Sequence, residues 1–412
     1  METIYACCAG LDVHKKTVAA CVRRTDSAGR VQKTVRTFGT MTGELLSLSD
    51  WLRECGVTHV AMESTGVFWK PVFNILEGSF QVLLVNARHI KQVPGRKTDV
   101  QDCEWIAQLL QYGLLRASFV PDREQRELRD LTRHRSQLVA EQGRVANRIH
   151  KTLEDANVKL GSVATDILGV SGRRILHALM EGESDPEELA ELARGRLRGK
   201  KPQLEAAVEG HVTDHHRFLL KGLLDHWDYL QGQIDRLSRR IEELTAPFAQ
   251  EIRRLDGIAG VDRRIAETVV AEIGTDMSHF PTDGHLSSWA GMCPGNNESA
   301  GKRHSGKTAK ANRWLRASLT QAAWAASHTK NTYLSSQYHR LAARRGKKRA
   351  LVAVGHTILV AIYHMLKEGT SYADLGAHYL DQLQSHRATR YHVKRLESLG
   401  HKVTLEPGLL AA

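Results

Sequence analysis

No two cysteines in this chain stand at metal-ligand spacing. The six (Cys7, Cys8, Cys21, Cys55, Cys103, Cys293) are scattered, mostly within apolar runs, and no Cys-x-x-Cys pair occurs. That pattern excludes a zinc finger and a disulfide framework and reads as reduced core thiols. Apolar runs near the ~18 residues that cross a bilayer are missing too, as is a secretory signal. The expectation is a soluble cytoplasmic protein with no membrane partner. Negative charge is in deficit: 58 Lys and Arg face 46 Asp and Glu, giving a net charge of +12 and a pI of about 9.5. The simplest partner for such a chain is nucleic acid. The deficit is sharpest from Ser299 to Lys367, where no Asp or Glu occurs against fourteen Lys and Arg. A solvated helix face mixes signs, so a one-sign run of this length is a polyanion footprint. Its first cations, Lys302, Arg303, Lys307, Lys310, Arg313 and Arg316, are the nucleic-acid-binding candidates. Trp314, Trp324 and Tyr333 are interleaved with them. Most such aromatics are core residues, and the alternative for one of them is stacking on a base.

What is present is ample. With 412 residues, 42% of them apolar, the chain is long enough for two or three domains with their own cores. Residues 1–122 read as an α/β domain. Ile4 to Leu11 is an apolar strand ending in Asp12. Thr17–Val22 and Val31–Phe38 are further strands, and 43–55 has helical periodicity. Val57 to Met62 is a strand ending in Glu63, and Phe80–Val85 is a fifth. Pro94-Gly95 then breaks the chain before a helix that starts near Asp99 and Asp102.

Those two acids are three residues apart, hence on one helical face. Like charges that close are costly unless a cation or proton offsets them. For this pair alone the bland alternative is a capping Asp99 beside a solvated Asp102. Alternating strands and helices form a sheet whose sites lie where loops leave the strand ends. Asp12, Glu63, Asp99 and Asp102 converging there would hold two Mg²⁺ ions, or Mn²⁺ in vitro, in the arrangement that serves phosphodiester exchange. This pattern resembles the RNase H-like fold of the RuvC type. Lys15, Arg96 and Lys97, with His14, Lys16, Arg88, His89 and Lys91, would line the mouth with positive charge. The alternative for each of them is simple solvation.

Residues 123–250 read as a helical linker. It comprises a long exposed helix over 123–160, a helical insertion over 161–213, and a heptad seam at Leu223, Trp227, Leu230, Ile234, Leu237, Ile241 and Leu244. The two long helices pair within the chain or join subunits. His211, His215 and His216 lack ligand partners and read as surface. Residues 251–368 form a second, mainly helical domain. In it the Gly257–Gly260 turn suggests a helix-hairpin-helix whose amides approach a phosphate. A long Gly-, Asn- and Ser-rich loop over 289–307 and a buried closing helix over 351–366 follow. Residues 369–412 are a tail with no assigned role.

At this point the chain resembles a known family. Gly10-Leu11-Asp12-Val13-His14-Lys15, Met62-Glu63-Ser64-Thr65-Gly66 and Lys97-Thr98-Asp99-Val100-Gln101-Asp102 are similar to motifs of the DEDD transposases of the insertion sequence 110 family. So are Ala290-Gly291-Met292-Cys293-Pro294 through Ser299, and Lys307 through Arg316. The resemblance implies a RuvC-like domain, a coiled coil and a C-terminal transposase domain, in a bacterial enzyme associated with the nucleoid. It implies recombination of donor and target DNA guided by a structured bridge RNA, with the four acids on Mg²⁺. It also implies a serine that attacks the DNA phosphate, giving a 5′-phosphoserine bond and a free 3′-hydroxyl. Carried over, that serine is Ser299; Ala300 replaces the family's glycine, which leaves Ser305, before Gly306, as the alternative. Joining two duplexes needs several active sites, hence a homo-oligomer, dimer to tetramer. The competing reading is a metal-dependent junction nuclease in which water attacks.

Overall fold

The computed structural model describes the chain except residues 1, 27, 65, 87–89, 91–101, 296, 300, 301, 307, 309, 310, 384 and 406–412. For 297–299, 303–305 and 385–388 only the backbone is described. The chain divides into two compact units, Met1–Pro121 and Asp122–Ala412.

The first unit is built on a five-stranded mixed sheet: β1 (Cys7–Val13), β2 (Thr17–Thr25), β3 (Val31–Gly39), β4 (His59–Glu63) and β5 (Gln81–Val85), in the spatial order β3-β2-β1-β4-β5. The β1–β2–β3 meander is antiparallel, whereas β4 and β5 join parallel to β1. Alternation sorts the side chains. Ala9, Leu11 and Val13 of β1 and Val60 and Met62 of β4 pack under α1 (Thr42–Glu54) and α2 (Trp69–Leu76). Cys8 and Ala61 face the other way, against Trp105, Ile106, Leu109 and Leu110 of α3 (Asp102–Gln111). The sheet therefore has helices on both faces, the expected α/β architecture. All six cysteines are free; burial pushes the thiols of Cys8 and Cys21 up to about 12 and that of Cys103 up to about 11.

The second unit is helical apart from one hairpin among the described residues. The helix expected to be exposed, α4 (Arg123–Asp155), buries Leu128, Val145, Ile149 and Leu153. It does so against α5 (Asp214–Thr245), so the two long helices pair within the chain. Leu128 meets Ile241, and Gln142 donates to Gln231 at 2.9 Å, which makes the pair antiparallel. The heptad seam is half-buried at Leu223 and Trp227 and buried at Leu230, Ile234 and Ile241, joined by Leu220 and Leu224. The insertion, with helices Val170–Glu181, Pro186–Glu191 and Lys201–Val208, extends the same core.

His216 corrects the surface reading. It is buried, its Nδ1 closes the cap on Thr213, and its Nε2 lies 3.0 Å from Asp155 Oδ2. Gly260 has a packing role that its sequence does not announce. Its φ of +86° and a Cβ position 2.3 Å from the Ala322 carbonyl oxygen show that it seats the turn before α6 (Arg263–Ile273) directly on α7 (Arg313–His328).

The closing helix, α9 (Lys347–Glu368), follows α8 (Tyr333–Arg345). Contrary to the expected lack of long apolar runs, α9 is long and apolar enough to cross a membrane by length and composition. Ala350, Val354, Ile358, Leu359 and Ile362 of it are buried in this unit, where a core helix needs the same composition. Beyond it, Tyr333 N donates to Asp374 Oδ1 at 2.9 Å, and Arg340 pairs with Asp381 at 2.6 Å.

Candidate active site

Leu11 of β1 lies opposite Met62 of β4 in a parallel pair, so one residue later Asp12 and Glu63 finish neighbouring strands side by side. Both alternate with residues of the α1–α2 core and so belong to the face that α3 covers. α3 begins with Asp102 and reaches β1 at unusually close range. A Cβ on Gly10 would stand 2.3 Å from both the Ala107 nitrogen and the Cys103 carbonyl oxygen, and only glycine permits that approach. Lys33 pins the same helix from β3 through Glu104, at 2.9 Å.

The electrostatics report the convergence. Burial raises the Asp12 carboxyl above its ordinary range, and the charges of Asp102 and Glu63 raise it further. His14, with Nε2 at 3.2 Å from Asp12 Oδ2, pulls it back. Of the four expected acids, Glu63 and Asp102 thus lie near enough for their charges to act on Asp12. Asp99, Arg96 and Lys97 lie outside the described residues, as do Arg88, His89 and Lys91. Lys15 and Lys16 are exposed beside His14. Among the described residues no group of three or more His, Cys, Asp and Glu is placed to hold a metal ion. Carboxylate oxygens are nevertheless the donors that a hard divalent cation takes, and Asp12 and Glu63 are partly buried while Asp102 is exposed.

A raised folded-state pKa means that stability from Asp12 is fully present below its unfolded value and is lost as pH rises through the folded value. At neutral pH its charge therefore opposes the fold, and a cation relieves that cost. Asp12→Asn is expected to raise the melting temperature of metal-free protein at pH 7 and to leave it unchanged below pH ~3, where Asp is already protonated in the unfolded chain. Added Mg²⁺ should stabilise the wild type at pH 7 and the variant much less. Thermal melts with and without Mg²⁺ check this, and an undiminished Mg²⁺ shift in Asp12→Asn would remove Asp12 from the ligand set.

In the second unit the segment expected to be a loop is an antiparallel hairpin, β6 (Asn297–Ser299) and β7 (Lys302–Ser305). Ser299 pairs with Lys302 at its tip, and Ser305 pairs with Asn297 at its base. α7 follows, and its cap is held from below. Asn312 accepts from the nitrogens of Trp314 and Leu315, both at 3.1 Å, while its Nδ2 donates to Glu272 Oε2 at 2.6 Å. Glu272 is fully buried and also takes a two-pronged contact from Arg133, at 2.7 and 2.8 Å. Beside it Arg129 donates to the Ala271 carbonyl at 3.0 Å, and burial lowers that guanidinium to about 10. Glu267 repeats the arrangement with Arg135, at 2.7 Å.

Of the expected nucleic-acid ligands, Lys302 and Arg313 are exposed, and the Arg313 guanidinium lies 4.5 Å from the ring centre of Trp314. Lys307 and Lys310 lie outside the described residues, and of Arg303 only the backbone is described. Arg316 lines an open cleft of about 990 Å³ together with Arg345, Lys348, Arg349 and His356; Gly306 and Thr308, just past the hairpin, also border it. No acid is among the described lining residues. Arg345, Lys348, Arg349 and His356 had not been singled out. The run Arg344-Arg345-Gly346-Lys347-Lys348-Arg349 was the available signal, but without the turn at Gly346 nothing indicates that it folds back on Arg316.

The first unit thus holds a sheet whose central strands end in carboxylates, and the second a basic cleft bordered by residues that follow a serine-bearing hairpin. A family model for the DEDD transposases of IS110 elements matches residues 9–158, and one described as the transposase IS116/IS110/IS902 family matches 252–340. Together these cover more than half of the chain, in the order that its motifs have. It is 26% identical over 262 residues to a probable family 20 transposase of Pseudomonas aeruginosa, covering 63% of this chain and 68% of that one. To an insertion element IS110 protein of 43.6 kDa from Streptomyces coelicolor, described as uncharacterized, it is 26% identical over 308 residues, 68% of this chain and 73% of that one. The chain belongs to the IS110 family of transposases.

Proposed function

We propose that this transposase cuts and rejoins DNA through a covalent 5′-phosphoserine intermediate at Ser299, within an RNase H-like, RuvC-type first domain (1–122) and a transposase domain (251–368) joined by the helical linker (123–250). The observation that carries the reading is the placement of Asp12 and Glu63 side by side at the ends of the parallel strands β1 and β4, with Asp102, at the start of α3, close enough for its charge to act on Asp12. The 3-2-1-4-5 mixed sheet with acids ending its central parallel pair supports the RuvC-type assignment. Asp12, Glu63, Asp102 and Asp99 would hold divalent metal, Mg²⁺ by preference for oxygen ligands. When bound, such an ion offsets charge on the phosphate oxygens and on the attacking and leaving oxygens.

The chain's own residues do the rest. The Ser299 hydroxyl attacks phosphorus, a Ser–O–P bond forms, the bond to the 3′ oxygen breaks, and the serine proton passes to the released 3′-hydroxyl. Energy of the broken phosphodiester stays in the phosphoserine, so a second 3′-hydroxyl reverses the step without ATP. Lys302, Arg316, Arg345, Lys348 and Arg349 hold the backbone by charge alone, with no reading of sequence. Choice of donor and target then falls to base pairing with a bridge RNA. Two duplexes require several serines, supplied by a homotetramer.

The test is to incubate wild-type protein with Mg²⁺, the RNA encoded beside its gene and end-labelled cognate DNA, and to run the product on a denaturing gel. The expected result is label that migrates with protein after boiling in detergent. Free cut DNA with no adduct would replace the serine mechanism by hydrolysis.

A further inference from the structure

The outer face of α7 carries an aromatic where a solvated helix carries a lysine. Leu315, Leu319, Ala322, Ala323 and Ala326 bury one side of this helix. Trp324 lies on the other and is 58% exposed. Its indole is not loose: the His328 ring rests against it, with centroids 4.5 Å apart. A shallow concavity of about 650 Å³ opens beside it, floored by the small side chains of Ala317 and Thr320 and bounded by Arg313 and Arg316. Arg316 also lines the basic cleft next to the hairpin, so the two depressions meet at one guanidinium. At 1.5 Å per residue, Trp324 stands about 12 Å along the helix from Arg316 and about 16 Å from Arg313. An exposed ring, a flat floor and cations within a few nucleotides' reach are the parts of a single-strand binding surface.

We propose that Trp324 stacks an unpaired base of the DNA strand beside the cleavage site, with Arg316 and Arg313 taking the phosphates that follow. This rests on the reading that DNA is cut at the serine hairpin, which ends at Ser305, eight residues before Arg313. Charge selects the partner: no Asp or Glu occurs from Ser299 to Lys367, so an acidic polymer is attracted all along this face. DNA is the polymer this enzyme class acts on, and strand exchange unpairs it where it is cut. The role is one of positioning; Trp324 touches no reacting atom.

The experiment compares full-length wild type, Trp324→Ala and Trp324→Phe. Binding is measured to a single-stranded oligodeoxynucleotide, to the same strand with abasic sites, to its duplex and to an RNA of the same sequence. Trp324→Ala should weaken single-strand binding roughly 5- to 150-fold, the range for one base–aromatic stack. Trp324→Phe should retain most of the affinity. On abasic DNA wild type and Trp324→Ala should bind alike, and duplex binding should be unchanged. Arg316→Ala should instead lower the salt dependence by about 0.7 of a log unit per log unit, as for one lost phosphate contact. Equal single-strand binding by Trp324→Ala overturns the proposal. So does an equal loss on duplex and abasic DNA, which marks a structural role. A loss confined to RNA, or a changed oligomeric mass with DNA binding intact, overturns it in favour of an RNA or subunit contact. Should wild type give no covalent adduct while the stacking pattern holds, the serine mechanism fails and this proposal stands.

Discussion

Ser299→Ala is expected to give no covalent protein–DNA adduct, a loss on the order of 10⁶-fold in strand cleavage, the scale of deleting a covalent nucleophile. A methyl group has no lone pair to attack phosphorus, and water held nearby lacks the covalent link that conserves the broken bond. Affinity for DNA should not move. The substitution changes no charge, so the number of neutralised phosphates, and with it the salt dependence of binding, stays that of wild type. The hairpin register gives the comparison its sharpness. Ser299 is at the tip beside Lys302, whereas Ser305 is at the base beside Asn297, so the two serines occupy different ends of one small element. Ser305→Ala should cleave normally. An adduct that survives Ser299→Ala and vanishes in Ser305→Ala keeps the mechanism and moves the nucleophile to the hairpin base. An adduct in both single variants would exclude both serines.

What the sequence reveals about this protein depends on whether the cue is local. Asp12 and Glu63 each close a short apolar run bounded by turn residues, too short for a helix, so its length reads as a buried strand and places the acid at the strand end. The five strands and α1 were legible from such local patterning, and the start of α3 from the Pro-Gly break before it. The hairpin carrying Ser299 was not, because Gly, Asn and Ser without alternating apolar residues read as loop. His216 was misread because its partners, Thr213 and Asp155, are the cap of its own helix and a residue sixty-one positions away. The same holds for Gly10 and Gly260, whose necessity lies in helices that pack on them from far along the chain. Trp324 had two possible fates in the sequence, core or surface; the phase of α7 against Leu315 and Leu319 sets it outside.

Glu272→Ala is expected to cost about 3–5 kcal/mol of stability, the range for removing one partner of a buried ion pair. The sequence conceals this residue inside the apolar run Ala266–Ile273, yet its side chain is wholly inaccessible and ties three elements together. Arg133 reaches it from α4 by both nitrogens, Arg129 stands 3.6 Å away on the same helix, and Asn312 reaches it from the cap of α7. Truncation takes the carboxylate away from the largely buried Arg129 and the partly buried Arg133. Glu272→Gln should cost less than Glu272→Ala, since the amide keeps the volume and an oxygen that still accepts from Asn312, although the charge facing Arg133 and Arg129 is gone. The urea midpoint, followed by the helical circular dichroism to which the second unit contributes most, should fall with the slope unchanged.

Two further arms separate charge from packing. Glu272→Leu combined with Arg133→Met should recover part of the loss, because a buried pair replaced on both sides by apolar groups is often neutral. Asn312→Ala alone should cost only about 1 kcal/mol, the value of a helix cap. If that single cap variant destabilises as much as Glu272→Ala, the cap and not the ion pair is what holds α7. The functional consequence follows from position. Asn312 is the point where the chain leaves the serine hairpin and becomes the rigid helix that carries Arg313, Arg316 and Trp324. A folded Glu272→Gln enzyme should therefore bind DNA with near-normal salt dependence but form the adduct more slowly, because its phosphate-holding helix is set less firmly relative to the nucleophile.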